Sequence, residues 1–259
     1  EPVWAHLSVF LNPSGKGKMS KRHSGDPMSG ERSIYVSDLR DMGYLPEAVV
    51  NWIALMGWSY DDRTESFSLG DLVDKFTLEK LSPSPAAINY GKLDHFNGLY
   101  IRGLSPEELT HRLTPFFHAA GLPADEPRLR RITPLIQERI RTLDEAPQIA
   151  GFFFRPEVSP APAQLIGKGM SAAQSAEAAR AAGELLASVP SFSAEVAEQP
   201  LRSLADQLSL SAGQLFGILR IAVTGQPVSP PLLESMEIIG REQVLARIHR
   251  AAEILQTLP

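Results

Sequence analysis

Ser105-Pro106-Glu107-Glu108-Leu109 opens the stretch that decides the fold. A hydroxyl residue at the cap, a proline in the first turn where its missing N–H costs nothing, and an acid three residues after the cap together specify a helix start. Leu109, Leu113, Phe116 and Phe117 give that helix an apolar face, and Gly121 ends it. Toward the C-terminus the same grammar recurs. Pro127 opens a segment running to about Leu143, Ser171 an alanine-rich one to about Val189, and Ser211 with Gln214 a third to Val223, stopped by Gly225. Ser229-Pro230 begins another, and Gly240 separates it from a last helix carrying Val244, Leu245, Ile248, Ala252 and Leu255. Pro156, Pro160 and Pro162 mark the linker between two helical lobes.

Toward the N-terminus the signal is mixed. Trp4 to Phe10 reads as a strand or a buried turn, Asn12-Pro13-Ser14-Gly15 as a turn, and Lys16 to Arg22 as a loop. Ser29 to Arg40 is strand-like through Ile34, Tyr35 and Val36, and Gly43 breaks it. Pro46 starts a helix bearing Val49, Val50, Ile53 and Leu55, which Gly57 stops. Ser68 with Asp71 forms a capping box ahead of Leu72, Val73 and Phe76. Ser82-Pro83-Ser84-Pro85 is a rigid connector, after which Leu93, Phe96, Tyr100 and Ile101 fall at helical spacing. The whole predicts a mostly α protein, with a short α/β region followed by two α-helical lobes.

The chain's 259 residues predict two or three domains. With 43% hydrophobic and 21% charged residues, the composition is that of a globular protein and argues against wholesale disorder. No apolar run approaches the roughly 20 residues that span a bilayer, so no membrane role is expected. With no cysteine, disulfides and thiolate-bound zinc are excluded, and the six histidines show no metal-ligand spacing. A net charge of −5 counts against nucleic-acid binding only as an average. Bases bunch at Lys16, Lys18, Lys21, Arg22 and His23, and again at Arg128, Arg130, Arg131, Arg139 and Arg141, while acids dominate from Asp61 to Asp74.

Lys18-Met19-Ser20-Lys21-Arg22 carries the chemistry. Two ammonium groups three residues apart, on a loop loosened by Gly15 and Gly17, can reach one polyphosphate, with a hydroxyl between them to add a hydrogen bond. Such cations stabilise the charge that builds on departing pyrophosphate during adenylate formation. Taken alone, the run also reads as a solvated basic loop.

These five residues resemble the signature loop of class I aminoacyl-tRNA synthetases, and the words around them resemble bacterial-type glutamyl-tRNA synthetases. Those words are Trp4-Ala5-His6-Leu7, Leu11-Asn12-Pro13, Gly43-Tyr44-Leu45-Pro46-Glu47-Ala48, Leu55-Met56-Gly57-Trp58-Ser59 and Lys92-Leu93-Asp94-His95-Phe96-Asn97. Leu219 to Gly225 with Ser229-Pro230-Pro231-Leu232 completes the series. The resemblance implies that residues 1–28 end a class I catalytic domain, 29–104 form an α/β stem-contact domain, and 105–160 and 161–259 are two anticodon-binding helical domains. It implies ATP, with Mg2+, as the nucleotide, contacted by Lys18, Met19, Ser20, Lys21 and Arg22, with Lys18 and Lys21 as the catalytic cations. It implies tRNA(Glu) and glutamate as the other partners of a cytoplasmic monomer. The family's His-Ile-Gly-His-type motif and its glutamate site belong to a domain expected before Glu1, so the chain is expected to be a piece that is inactive alone. Alternatives are a non-catalytic RNA-binding module, a helical scaffold for protein partners, and an enzyme that also charges tRNA(Gln). Glutaminyl-tRNA synthetase is disfavoured, because that family's anticodon region is strand-rich.

If residues 135–143 are helical, Leu135, Ile136, Ile140 and Leu143 make an apolar stripe with Arg139 inside it. Such an arginine either snorkels and pairs with an acid or emerges to bond a splayed base. The resemblance associates Arg139 with the third anticodon base. Arg141, on the opposite face, reads as solvated. Arg220, near a helix end, either caps carbonyls or, as the resemblance implies, meets the middle anticodon base with Ser229, Pro230 and Leu232. Ser229 is expected as an N-cap whose free amides face base acceptors, with Pro230 and Leu232 offering stacking surface. Trp52, Trp58, Phe116, Phe117 and Phe152 to Phe154 are expected in the core rather than as stacking platforms.

Overall fold

Local capping sets most helix boundaries in the computed structural model, which describes residues 4, 7–19, 32 and 35–258. The chain divides into two compact units, Glu1–Arg112 with Ile140–Glu145, and Leu113–Arg139 with Ala146–Pro259.

In the first unit β1 (Phe10–Leu11) pairs in parallel with β2 (Ala86–Ala87), Phe10 opposite Ala86 and Leu11 opposite Ala87. The helices are α1 (Val36–Asp41), α2 (Pro46–Leu55), α3 (Leu69–Lys75) and α4 (Tyr90–Gly103). The α3 capping box forms as its sequence predicts, Ser68 accepting from the Asp71 amide and Asp71 from the Ser68 amide. Trp52, Leu93, Phe96, Val49 and Leu39 share one core cluster, and Trp58, Phe67 and Leu72 a second. Each such side chain taken fully from water contributes about 1.5–3 kcal/mol. Two buried asparagines tie loops to these helices. Asn51 donates to the Glu65 carbonyl at 2.9 Å and accepts from the Phe67 amide at 3.0 Å. Asn97 accepts from the Leu45 amide at 2.8 Å and donates to the Arg141 carbonyl at 2.5 Å. Gly43, at φ +80°, lies where a Cβ would stand 2.5 Å from the Leu143 amide nitrogen, so only glycine permits that approach.

α5 (Pro106–Ala119) begins in the first unit, and its second half belongs to the second. There follow α6 (Glu126–Ile136), α7 (Ala146–Ala150), α8 (Ala172–Ser188), α9 (Ala194–Gln207), α10 (Ala212–Thr224), α11 (Leu232–Ile239) and α12 (Arg241–Gln256). Capping boxes open α8 and α10, and Gly225 ends α10 in the left-handed region at φ +72°. Phe117 and Phe152 to Phe154 are buried as expected, and Phe116 is half-buried.

Four boundaries differ from the sequence reading. Tyr35 and Val36 lead into a helix rather than a strand. Val36 is exposed, Leu39 is the helix's buried residue, and among the described residues no strand pairs with this segment for β-branched propensity to act on. The helix expected to run to Leu143 stops at Ile136. The Arg141 carbonyl and Leu143 amide are taken instead by Asn97 and by the Gly43 carbonyl, at 3.1 Å. The helix expected from Ser229 starts at Leu232 with Pro231 as cap, because consecutive prolines hold the residue before each of them extended. Between Val189 and Ser211 the sequence pattern does not announce α9. Ser193 caps it, and Ala197, Leu201 and Ala205 form its buried face, but Pro200 interrupts the pattern.

Candidate nucleic-acid interface

Lys18 leaves a tight turn. The Asn12 amide donates to the Gly17 carbonyl at 3.1 Å and the Gly15 amide to the Asn12 carbonyl at 2.8 Å, with Gly15 and Gly17 at positive φ. Lys18 bridges to Leu11, and the Met19 amide donates to the Phe10 carbonyl at 2.9 Å. Met19 packs against the first core cluster, while Lys16 and Lys18 stay exposed. The turn therefore presents two ammonium groups to solvent on an anchored backbone. Ser20, Lys21 and Arg22 lie outside the described residues.

In the second unit, Arg220 on α10 is half-buried and turned toward the loop before α11. Its Nη1 donates to Ser229 Oγ at 2.5 Å, to the Pro230 carbonyl at 3.2 Å and to the Ser229 carbonyl at 3.4 Å. The Ser229 hydroxyl donates to the Pro230 carbonyl at 2.9 Å. Arg220 thus does not cap its own helix, and Ser229 caps none. Ser229, Pro230 and Leu232 are buried, so the stacking surface expected of Pro230 and Leu232 is turned inward, and Val228 is the exposed apolar residue of this loop. Arg139 follows α6 in a turn closed by its own amide on the Ile136 carbonyl at 2.8 Å, and its side chain is exposed rather than embedded in a stripe. Burial, and then the charge of Arg139, hold the Arg220 pKa below its ordinary value. Two guanidinium groups therefore lie close enough to repel. Arg141, in the other unit, is exposed and pairs with Glu145 at 3.4 Å.

Sequence reasoning missed Arg247. It lies on α12, 4% exposed, and donates to the carbonyls of Val223 at 2.6 Å, Phe152 at 2.9 Å and Arg155 at 2.5 Å. Burial first, then the charge of Arg128, push its pKa down to about 10, which still leaves it protonated at neutral pH. A cation at the carbonyl end of α10 also answers that helix's dipole. The only sequence signal was an arginine next to Ile248 on the apolar face set by Val244.

Residues 108–252 match the family described as anticodon binding domain, and residues 1–95 match the tRNA synthetases class I (E and Q) catalytic domain. A glutamate–tRNA ligase of Roseiflexus sp. (strain RS-1) is 42% identical over 262 residues, covering 99% of this chain and 50% of that relative. One from Dehalococcoides mccartyi is 41% identical over 263 residues, covering 100% of this chain and 52% of its own. Among solved structures, a glutamate tRNA ligase from Elizabethkingia meningosepticum in complex with its amino acid superposes with a TM-score of 0.81 at 27% identity, covering 98% of this chain and 52% of that one. A glutamate-tRNA synthetase from Elizabethkingia anophelis gives 0.79 at 26% identity. The chain spans about half the length of the curated relatives it matches. With the anticodon-binding family matched over more than half of the chain and the class I catalytic family matched over the residues before it, this chain belongs to the glutamate–tRNA ligase family of aminoacyl-tRNA synthetases.

Proposed function

We propose that this chain is the tRNA-gripping and ATP-loop portion of an enzyme that joins glutamate to the 3′ end of tRNA(Glu) through a glutamyl-adenylate. The observation that carries the reading is Arg220, pinned through Nη1 to Ser229 and Pro230. That leaves Nε and Nη2 as donors for the edge of the middle anticodon base. Ser229 fixes the guanidinium, while Pro230 and Leu232 give the loop its shape from beneath. Arg139, exposed and repelling Arg220, is the group for the third base. Two neighbouring cations that repel one another are stabilised when a polyanion arrives.

At the other end of the chain, residues 1–28 supply phosphate contacts and residues 29–104 the stem contact, with residues 105–160 and 161–259 as the two anticodon lobes. Lys18 and Lys21 stabilise the departing pyrophosphate, with Met19, Ser20 and Arg22 in the same loop. The anchored turn and the exposed Lys16 and Lys18 fit a polyphosphate. Mg2+ bound with the nucleotide's phosphates would add positive charge beside Lys18 and Lys21. Glutamate is bound by the part of the relatives' length that this chain does not cover, so the chain alone is inactive. The enzyme works as a monomer in the cytoplasm. No helix among the described residues is long and apolar enough to cross a membrane.

The test is filter binding of a tRNA(Glu) transcript to the 259-residue chain. Affinity should fall steeply with salt, and Arg220→Ala should weaken it by roughly tenfold or more, the scale of one good base contact of about 1–3 kcal/mol. Salt-independent binding, or binding that Arg220→Ala leaves unchanged, overturns the reading. Charging of tRNA by the isolated chain would show that catalysis needs nothing further.

A further inference from the structure

A cavity of about 70 Å³ lies against α12 within the second unit. Ala222 of α10, Ala251 and Ile254 of α12, and Val158 give it apolar walls, and Arg247, Arg250 and Glu157 are the charged side chains of its lining. Arg250 pairs with Glu157, and both are exposed, so that pair is neutral and wet. Arg247 is 4% exposed, and its Nη1 and Nη2 are taken by the carbonyls of Val223, Phe152 and Arg155. Its Nε, also buried, has no hydrogen-bond partner among the described residues. A guanidinium is planar, so its Nε–H points along the edge that it shares with Nη2. Nη2 meets the Arg155 carbonyl, and Pro156, the next residue, lines the cavity. The free donor therefore faces the side on which the cavity lies.

Buried charges are ordinarily paired, because a low-dielectric interior cannot screen them. The partners of Arg247 are neutral carbonyls, and the charge of Arg128, which also acts on it, has the same sign. The site thus combines an uncompensated cation, a free donor and an apolar-walled space. A water molecule takes the donor but leaves the charge as it is, whereas an anion answers both. Liquid water claims about 30 Å³ per molecule, so a cavity of about 70 Å³ admits a halide or another small inorganic ion. It excludes a nucleotide, since organic ligands of that size need pockets of about 300 Å³ or more. We propose that Arg247 Nε and the cavity beside it bind a small monovalent inorganic anion such as chloride, which stabilises the packing of α10 against α12. The coupling follows from position, because Arg247 of α12 holds the Val223 carbonyl of α10. Nothing in this binding requires tRNA.

The 259-residue chain is melted at fixed ionic strength while sodium chloride replaces sodium gluconate, whose anion is too large for the cavity. Tm should rise with chloride by about 2–4 °C and then level off, and bromide should act in the same way. Chloride NMR gives a reading that does not depend on stability: the chain should broaden the chloride line, and bromide should narrow it again by displacement. Ala251→Leu, which fills the cavity and leaves every arginine in place, should abolish the Tm rise and most of the broadening. Where that variant unfolds, Ala222→Val narrows the same cavity from α10 and carries the comparison. Arg247→Lys keeps the charge and loses Nε, and should weaken chloride binding roughly tenfold. Broadening that the cavity-filling variants leave unchanged puts the ion on exposed arginines and overturns the proposal. So do a Tm and a line width that ignore chloride, which leave Nε to water.

Discussion

The buried and half-buried cations of the two units are held in different ways, while exposed arginines in both, such as Arg40 and Arg202, pair with acids. In the first, cations meet carboxylates: Arg32 bonds Asp94 at 2.6 Å and Tyr44 at 2.7 Å, Arg112 pairs with Glu47 at 2.9 Å and Glu108 at 2.7 Å, and Lys92 with Glu65 at 2.6 Å. In the second, Arg220 and Arg247 spend their hydrogens on carbonyls and a hydroxyl, and neighbouring arginines oppose them. A chain of net charge −5 thereby keeps positive charge at Arg220 and Arg247 that is bonded to neutral acceptors. Carbonyls satisfy hydrogen bonds without cancelling charge, whereas carboxylates do both.

The largest expected effect breaks the second arrangement. Arg247→Ala leaves the buried Val223 and Phe152 carbonyls without this donor, each worth about 1–3 kcal/mol, while the Arg155 carbonyl keeps its bond from Gln243, so urea unfolding should show a loss of about 3 kcal/mol. An unchanged midpoint would mean that water replaces the guanidinium without cost. Arg139→Gln in the intact enzyme should narrow the preference for tRNA(Glu) over tRNA(Gln) by roughly 1–3 kcal/mol. Cytosine accepts from a guanidinium, guanine presents donors to it, and glutamine satisfies either. The ratio of kcat/KM for the two tRNAs measures it, and since Arg139 is exposed, an unchanged ratio cannot be blamed on unfolding.

Acid should separate the units. Burial pushes the Asp94 carboxyl up, but hydrogen bonds from Arg32 and Tyr44 outweigh it and hold its pKa below the usual carboxylate range. The Arg112 hydrogen bond does the same for Glu47. Unfolded carboxylates near pKa 4 bind protons first, so this stability is complete above about pH 4 and disappears as pH falls through the lowered native values. The arginine–carbonyl bonds of the second unit do not titrate there. All three tryptophans, Trp4, Trp52 and Trp58, lie in the first unit, so tryptophan fluorescence should change at a higher pH than far-UV circular dichroism. Coincident transitions would refute the separation. The smallest effect is Arg112→Met, which removes two partly exposed pairs, with Glu47 and Glu108, and should cost about 1 kcal/mol by thermal melting.

Helix starts were legible because their cause is local. Ser68 with Asp71, Ser171 with Gln174, and Ser211 with Gln214 each close hydrogen bonds within four residues, and Gly225 and Gly240 adopt positive φ where the reading stops or separates helices. The helix reaching Leu143 was not, because Asn97, more than forty residues away, takes the Arg141 carbonyl. The site shows the same divide. Arg220 and Ser229 are nine positions apart across one turn and appear in the sequence as one region. Arg247 needs carbonyls from Phe152, Arg155 and Val223, which no spacing announces.

The first unit takes back Ile140–Glu145 after the chain has already contributed Leu113–Arg139 to the second. A ribosome releasing the chain from its N-terminus therefore exposes Gly43 and Asn97 long before the Leu143 amide and Arg141 carbonyl exist to meet them. The first unit, though earlier in sequence, cannot finish folding until part of the second has been synthesised. A protease that cuts between Arg112 and Ile140 severs a covalent tether and still leaves both hydrogen bonds in place.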